Sequence, residues 1–139
     1  MVFKINLGTK SGKTYKIETE SEELVGKSLG EKIQGEVVSP EFKGYEFEIK
    51  GATDDAGFIA HPDVEGFSLN RKLFSRGFGM HKRPKGIKKK NKRPTGGLRL
   101  RKTVRGKVIS PSIIQINMKV VKEGSKPLSE IIKTETPSQ

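Results

Sequence analysis

The chain has 139 residues, the size of one domain, and it contains no cysteine, which excludes disulfides and thiolate metal sites. It has no uninterrupted apolar run of about 18 residues, so no membrane-spanning helix is predicted. Its 28 Lys or Arg against 16 Asp or Glu give a net charge of +12, which indicates a polyanionic partner.

The first predicted element is a hairpin. Residues 2–7 and 14–19 alternate apolar and polar side chains, which predicts two strands joined by the turn GTKSGK. The stretch GTKSGKT, residues 8–14, approaches the phosphate-binding loop of nucleotide hydrolases, but that loop has four residues between its glycines and leads into a helix. A strand pattern follows Thr14, so we interpret this stretch as a hairpin tip. An NTP-binding regulator acting through Lys13 remains an alternative.

The next elements are short. Residues 21–25 predict a helical turn with Ser21 as its N-cap, and residues 33–38 predict a short strand broken by Gly35. Residues 45–51, YEFEIKG, predict the clearest strand, with Tyr45, Phe47 and Ile49 facing inward. Residues 52–68 are rich in Gly, Asp and Pro and predict a loop.

This loop contains acidic residues and one histidine, and we weighed it as a metal or catalytic site. Their spacing does not match a calcium loop, and a single histidine among scattered carboxylates is not a zinc site. The sequence has no motif for a nucleophile with its general base. We therefore predict no catalytic residue, no metal and no cofactor, and a protein that is not an enzyme. The residues considered were Asp54, Asp55, His61, Asp63 and Glu65.

The positive charge is concentrated in one segment. Residues 71–107 contain 16 Lys or Arg and no Asp or Glu, whereas the rest of the chain contains 12 basic and 16 acidic residues. Within it, residues 76–102 hold five glycines and two prolines and little core material. Such a segment cannot offset its ordering entropy by burial. We predict a long extended loop that is disordered until a partner supplies negative charge; residues 68–74 before it are ambiguous.

Two strands are predicted after the basic segment, at residues 103–110 and 113–124, followed by a helical turn within 125–132. The fold class is mainly β: a small six- or seven-stranded barrel-like domain with a long basic extended arm and little helix. We predict one domain over residues 1–139, with a β body at 1–70 and 103–132, a basic RNA-binding arm at 71–107 and a frayed tail at 133–139. The predicted core consists of Phe3, Ile5, Leu7, Tyr15, Ile17, Val37, Phe47, Ile49, Val108, Ile114, Ile116, Met118 and Val120.

The basic arm favours RNA over other polyanions. It lacks the bulky apolar face of a membrane-binding segment and the helix that reads the major groove of DNA. Flexible Gly-rich segments suit structured RNA, and Phe74, Phe78 or His81 are candidates to stack on an exposed base. An architectural DNA-binding protein remains an alternative. The predicted RNA-binding residues are Arg71, Lys72, Arg76, His81, Lys82, Arg83, Lys85, Lys88, Lys89, Lys90, Lys92, Arg93, Arg99, Arg101, Lys102, Arg105 and Lys107.

Several stretches, taken in order, resemble one known family. They are GYEFEIKG, DDAGF, VEG, a basic arm containing RP, RLRKTVRGKVIS and VVKEG. This order is similar to the small-subunit ribosomal protein family S-six-e of archaea and eukaryotes, over about residues 1–132. The most specific parts are residues 44–58 and 99–108, RKTVRG above all. Ile59 and Ala60 depart from the family pattern, which has Pro and Met there.

The resemblance implies a β-barrel-like protein of the small ribosomal subunit. Its expected partners are ribosomal RNA of that subunit and neighbouring ribosomal proteins, with no membrane and no small-molecule substrate. Its expected location is the ribosome in the cytoplasm. Eukaryotic members have a long C-terminal extension with a phosphorylated tail, and the short form of this sequence is similar to archaeal members.

Overall fold

A computed structural model describes residues 2–80 and 97–133 of the chain. Its seven strands form a five-stranded sheet in the order β2-β1-β7-β4-β3 and a separate β5–β6 pair. This confirms the mainly β prediction: the arrangement is barrel-like, although the strands of the described residues do not close into a barrel. The strands are β1 (Phe3–Gly8), β2 (Thr14–Thr19), β3 (Lys32–Gln34), β4 (Glu46–Asp54), β5 (Leu69–Ser75), β6 (Arg99–Arg105) and β7 (Ile113–Lys122), and the helix is α1 (Leu128–Lys133).

The predicted N-terminal hairpin is confirmed. β1 and β2 pair antiparallel with Ile5 opposite Ile17. The turn is closed by the Thr9 N–H, which donates to the carbonyl of Lys13 at 2.9 Å, and by Gly12, whose φ of +88° places it in the left-handed region that favours glycine. The chain after Thr14 is strand β2, so this stretch lacks the strand–loop–helix geometry of a phosphate-binding loop.

The main core lies on one face of the five-stranded sheet. β7 is central, because it pairs parallel with β1 and antiparallel with β4. β4 extends to Asp54, three residues beyond the predicted end of its strand. Tyr15 and Val37 pack partly buried against the core. The predicted core residues confirmed as buried are Phe3, Ile5, Leu7, Ile17, Phe47, Ile49, Ile116, Met118 and Val120.

Two predicted core positions are wrong by one residue. The β4–β7 register shifts after Thr53, because Thr53 pairs with Gln115 whereas Asp54 pairs with Ile113. This irregularity turns Ile114 to the surface and buries Ile113 in its place. Ile109, not Val108, is buried, because β6 ends at Arg105 and its alternation does not continue.

The segment between β2 and β4 is less extended than predicted. The strand expected over residues 33–38 ends at Gln34, and residues Gly35–Val37 form a 3-10 helix. A Cβ atom on Gly35 would lie 2.2 Å from the carbonyl oxygen of Phe42, so only glycine permits this close approach. Ser21 precedes a 3-10 turn as predicted, but its hydroxyl donates to the carbonyl of Val37 at 2.6 Å and does not cap the turn.

The basic segment begins and ends in paired strands. Residues 68–74, which the sequence left ambiguous, lie largely in β5, and the extended-loop prediction is wrong for Arg99–Lys102, which belong to β6. Local composition failed here because pairing with β5 and burial of side chains from both strands stabilise a segment that has little core material of its own. Residues 81–96 lie outside the described residues, as do residues 134–139 of the predicted frayed tail.

Candidate nucleic-acid interface

The β5–β6 hairpin has two chemically different faces. In an antiparallel pair, residues directly opposite each other share a face, and alternate residues along each strand point the same way. Phe74 lies opposite Leu100, and Asn70 lies opposite Val104. Phe74 and Val104 are buried together with Met80, and these three side chains form a small second core. This inner face attaches the hairpin to the rest of the protein.

The outer face is basic and exposed. Leu73 lies opposite Arg101, Arg71 lies opposite Thr103, and Ser75 lies opposite Arg99. Arg71, Arg99 and Arg101 are exposed, and Arg76 is exposed just beyond β5. Within the described part of the chain, none of these four guanidinium groups has a hydrogen bond or an ion pair. We call Arg71, Arg99 and Arg101 on the outer face, together with Arg76 directly after β5, the arginine face.

Other basic residues of the hairpin are paired with acidic residues of the loop before it. Lys72 Nζ lies 2.7 Å from the carboxylate of Asp63, and Lys107 Nζ lies 2.6 Å from that of Glu65. Lys102 Nζ donates to the carbonyl of Gly79 at 3.0 Å. The Lys72 and Lys107 pairs are at the surface, where an ion pair contributes little stability.

The pair between Arg105 and Asp54 is different because it is buried. The Asp54 side chain is 1% exposed and the Arg105 side chain is 15% exposed. Asp54 Oδ2 accepts from Arg105 Nε at 2.7 Å, while Oδ1 accepts from the backbone N–H of Phe58 at 2.7 Å. Both carboxylate oxygens are therefore satisfied, and Asp54 joins the end of β4 to β6. The Arg105 guanidinium is therefore used within the protein, where it fixes the hairpin to β4.

His61 lies inside the junction between the loop and the hairpin. Its ring lies 5.1 Å from the ring of Phe74 and 5.3 Å from that of Phe78. Nδ1 accepts a hydrogen bond from the backbone N–H of Asp63 at 3.2 Å, which fits the neutral imidazole. Burial lowers the pKa of His61 below its ordinary value, and Lys72 lowers it further, against the opposing effect of Asp63. His61 is thus a packing residue in its neutral form.

Comparison with known proteins identifies the family. The family model for ribosomal protein S6e matches residues 3–133. The chain is 42% identical over 126 residues to the small ribosomal subunit protein eS6 of Methanocaldococcus jannaschii, covering 91% of this chain and 86% of that protein. It is 42% identical over 129 residues to the protein of the same name from Methanococcus maripaludis (strain C7), covering 92% and 94%. The chain belongs to the ribosomal protein S6e family.

Membership of the S6e family confirms the resemblance found in the sequence and the expectation of a protein that is not an enzyme. The Archaeoglobus fulgidus protein of the same name is 40% identical over 129 residues, covering 89% of each chain, so these three relatives are all archaeal, as expected. Among the described residues, no helix is long and apolar enough to cross a membrane. Residues 2–80 and 97–133 contain no group of three or more His, Asp or Glu arranged to hold a metal ion.

Contacts within the fold explain several residues of the S6e element RKTVRG, residues 101–106. Arg105 holds Asp54, and Val104 is buried in the second core. A Cβ atom on Gly106 would lie 1.9 Å from the carbonyl oxygen of Gly66, so the two backbone segments meet where no other residue fits. Arg101 belongs instead to the arginine face.

The prediction that Phe74 stacks on RNA is wrong, because its side chain is buried in the second core. Phe78 is 60% exposed, so its ring remains accessible for stacking.

The sequence did not predict the role of Asp54. Asp54 and Arg105 are 51 positions apart, and only the tertiary structure brings the two side chains together. The predicted contacts that lie outside the described residues are His81, Lys82, Arg83, Lys85, Lys88, Lys89, Lys90, Lys92 and Arg93.

Proposed function

We propose that this protein is a structural constituent of the small ribosomal subunit, in the cytoplasm, and that it holds ribosomal RNA through the basic arm, residues 71–107. Its relatives carry the name small ribosomal subunit protein eS6, and they cover nearly the whole chain. A structural role in translation follows from this kinship, with ribosomal RNA and neighbouring ribosomal proteins as partners.

The observation that carries the RNA-binding proposal is the arginine face. Exposed arginines on one face of a hairpin repel each other unless an anion neutralises them. Arginine also presents its donors in a planar fork that matches phosphate oxygens. Lys72, Lys107 and Arg105 are neutralised within the protein. In the described part of the arm, the positive charge that remains for RNA is therefore on the arginine face and on Lys102, whose ammonium group contacts only the carbonyl of Gly79.

The sequence places further charge between the two strands. Residues 81–96 connect the segment after β5 to β6 and contain eight Lys or Arg with no acidic residue. If the arm contacts about 6 to 10 phosphates, its affinity falls by roughly 10³ to 10⁵ between 50 and 200 mM salt. The full-length protein and small-subunit ribosomal RNA, measured by filter binding across that range, provide the test. An affinity that does not change with salt would contradict the proposal.

A charge-matched pair of variants separates the arginine face from net charge. Replacing its four arginines with glutamine should reduce the slope of log affinity against log salt by about 3. The control replaces Lys32, Lys43, Lys122 and Lys126, four exposed lysines near the Glu46 end of β4, away from the Asp54 end that holds the hairpin. Equal loss in both variants would mean that net charge alone binds RNA. Duplex DNA that competes as well as ribosomal RNA would favour the architectural DNA-binding alternative.

A further inference from the structure

A groove lies between the five-stranded sheet and the hairpin, and Lys102 from the inner face of the hairpin contributes to it. Its volume is about 540 Å³, within the range of roughly 300–1,000 Å³ of small-ligand clefts. One wall is β4 from Lys50 to Thr53, and the opposite wall is Phe78 and Gly79, which follow β5. Lys102 of β6, Asn117 of β7 and the apolar residues Ile59 and Ala60 complete the lining.

Phe78 is an exposed aromatic side chain on a fixed support. It occupies a tight turn in which Gly77 and Met80 exchange backbone hydrogen bonds of 3.1 and 3.3 Å. Met80 is buried in the second core and anchors the turn. Lys102 Nζ holds the carbonyl of Gly79, and the ring of Phe78 lies against buried His61. An aromatic ring held in this way loses little conformational entropy when a flat ligand stacks on it.

The polar groups that line the groove are mainly hydrogen-bond donors. Asn117 Oδ1 accepts from Asn6 Nδ2 at 3.0 Å and from Gln115 Nε2 at 3.2 Å. Its Nδ2 group therefore remains as a donor, and it faces Gly51, because a Cβ atom on Gly51 would lie 3.8 Å from it. This Nδ2 group makes no hydrogen bond within residues 2–80 and 97–133. The absence of a side chain at Gly51 leaves it accessible from the groove.

Two ammonium groups add positive charge to this lining. Lys50 is exposed and its Nζ pairs with Glu48 at the surface, an interaction that competes weakly with a phosphate. Lys102 uses one of its three donors on Gly79 and keeps the other two. The groove therefore combines an aromatic platform, an amide donor and two cations, and its ligand must be flat, rich in acceptors and attached to an anion.

We infer that this groove takes one unpaired nucleobase of the bound RNA, stacked on Phe78 with an acceptor of the base edge on Asn117 Nδ2 and its flanking phosphates near Lys50 and Lys102. The inference rests on the proposed RNA binding and adds a site to it. An unpaired base in RNA exposes both its π face and its acceptor edge, which a paired base hides. An apolar side chain of a neighbouring protein would leave the Asn117 Nδ2 group and the remaining donors of Lys102 without acceptors, so a base fits better.

The experiment uses the full-length protein and two RNA duplexes that differ only by one bulged 2-aminopurine. Base–aromatic stacking predicts that the bulged duplex binds roughly tenfold tighter than the paired one, with quenching of the 2-aminopurine fluorescence. Phe78→Ala should remove both the preference and the quenching while leaving affinity for the paired duplex within about twofold, because the arginine face is intact. Phe78→Tyr should keep both signals.

Two further variants test the place of binding. Phe67→Ala removes another phenylalanine that is 63% exposed and does not line the groove, so it should leave the preference unchanged. Gly51→Val should abolish the preference without touching Phe78, since its Cβ has room and the added methyl groups obstruct access to Asn117 Nδ2.

The outcomes separate this inference from the proposed function. If neither duplex binds, RNA binding itself fails. If both duplexes bind equally, or if Phe78→Ala weakens both by the same factor, the arm binds RNA but the groove takes no base. Unchanged thermal unfolding of Phe78→Ala would exclude a folding defect as the cause of a lost preference.

Discussion

The two sheets of this protein are stabilised by different means. The five-stranded sheet covers the larger core, in which Phe3, Phe42 and Phe47 are fully buried. The β5–β6 hairpin buries only Phe74, Val104 and Met80, and it depends in addition on the buried pair between Asp54 and Arg105. Burial of apolar surface is the main favourable term in folding, so the five-stranded sheet carries most of the stability.

The two sheets also differ in how charged residues are distributed over them. The five-stranded sheet mixes acidic and basic residues, while the hairpin presents arginines on one face and reserves the other for attachment. A small attachment area is sufficient because the hairpin does not have to fold alone. Under the proposed function, RNA binding would add to the stability of this hairpin, because a ligand that binds only the folded state stabilises it.

The largest expected effect comes from the main core. Phe47→Ala removes a fully buried ring near the start of β4 that lies 5.8 Å from the rings of both Phe42 and Tyr45. The free energy of unfolding should fall by about 4 kcal/mol, because the lost contacts leave a cavity. Urea denaturation measures this loss. The control is Ile114→Ala, at an exposed position of the adjacent strand β7, which should cost less than about 1 kcal/mol. Similar losses in both variants would contradict the assignment of the core.

The next largest loss of stability should be confined to the hairpin. Asp54→Ala leaves the guanidinium of Arg105 without its buried partner and should cost about 3 kcal/mol. Hydrogen exchange should speed up in β5 and β6 while the amides of β1 and β7 keep their protection, since only the attachment is lost. Asp55→Ala is the matched control. Because Asp55 is exposed, this substitution should change neither the free energy of unfolding nor the hydrogen exchange rates. Uniform loss of protection in both sheets would show that the sheets unfold as one unit.

The smallest effect is a pH dependence of the free energy of unfolding, caused by His61 at the junction between the loop and the hairpin. The pKa of His61 in the folded protein is below 6.5, chiefly because of burial, so the unfolded chain binds the proton more tightly. Stability that is complete above pH 6.5 is therefore lost as the pH falls through the folded-state pKa. Urea denaturation between pH 7.5 and 5.5 should detect this decline, and His61→Asn, which keeps an acceptor for the Asp63 N–H, should flatten it.

Three carboxylates that pair with lysines do not contribute to this decline. Hydrogen bonds from Lys27, Lys50 and Lys72 lower the pKa values of Glu31, Glu48 and Asp63 below ordinary values of 3.8 to 4.5. Their contribution is present above those values and is lost only as the pH falls below them. A decline above pH 5 that persists in His61→Asn would assign it to another group.

Local sequence patterns are enough to predict the alternating strands and the concentration of positive charge in one segment. The pattern FKINL and the pattern YEFEIKG each place apolar residues on one face, and both appear as predicted in β1 and β4. The separation of charge between residues 71–107 and the rest needs no structure to be seen. These features are local: periodicity and composition are properties of neighbouring residues.

Which basic residues stay exposed and where the hairpin begins depend on the tertiary structure. Arg105 and Arg101 are alike in sequence, yet Asp54 binds one and the other is exposed. Residues 99–102 are poor in core material and still form a strand, because β5 supplies their partners from 24 or more positions away. The groove beside Phe78 joins β4, β6 and β7, which lie far apart in the chain. Pairing and burial between distant segments depend on the whole fold, and no local pattern encodes them.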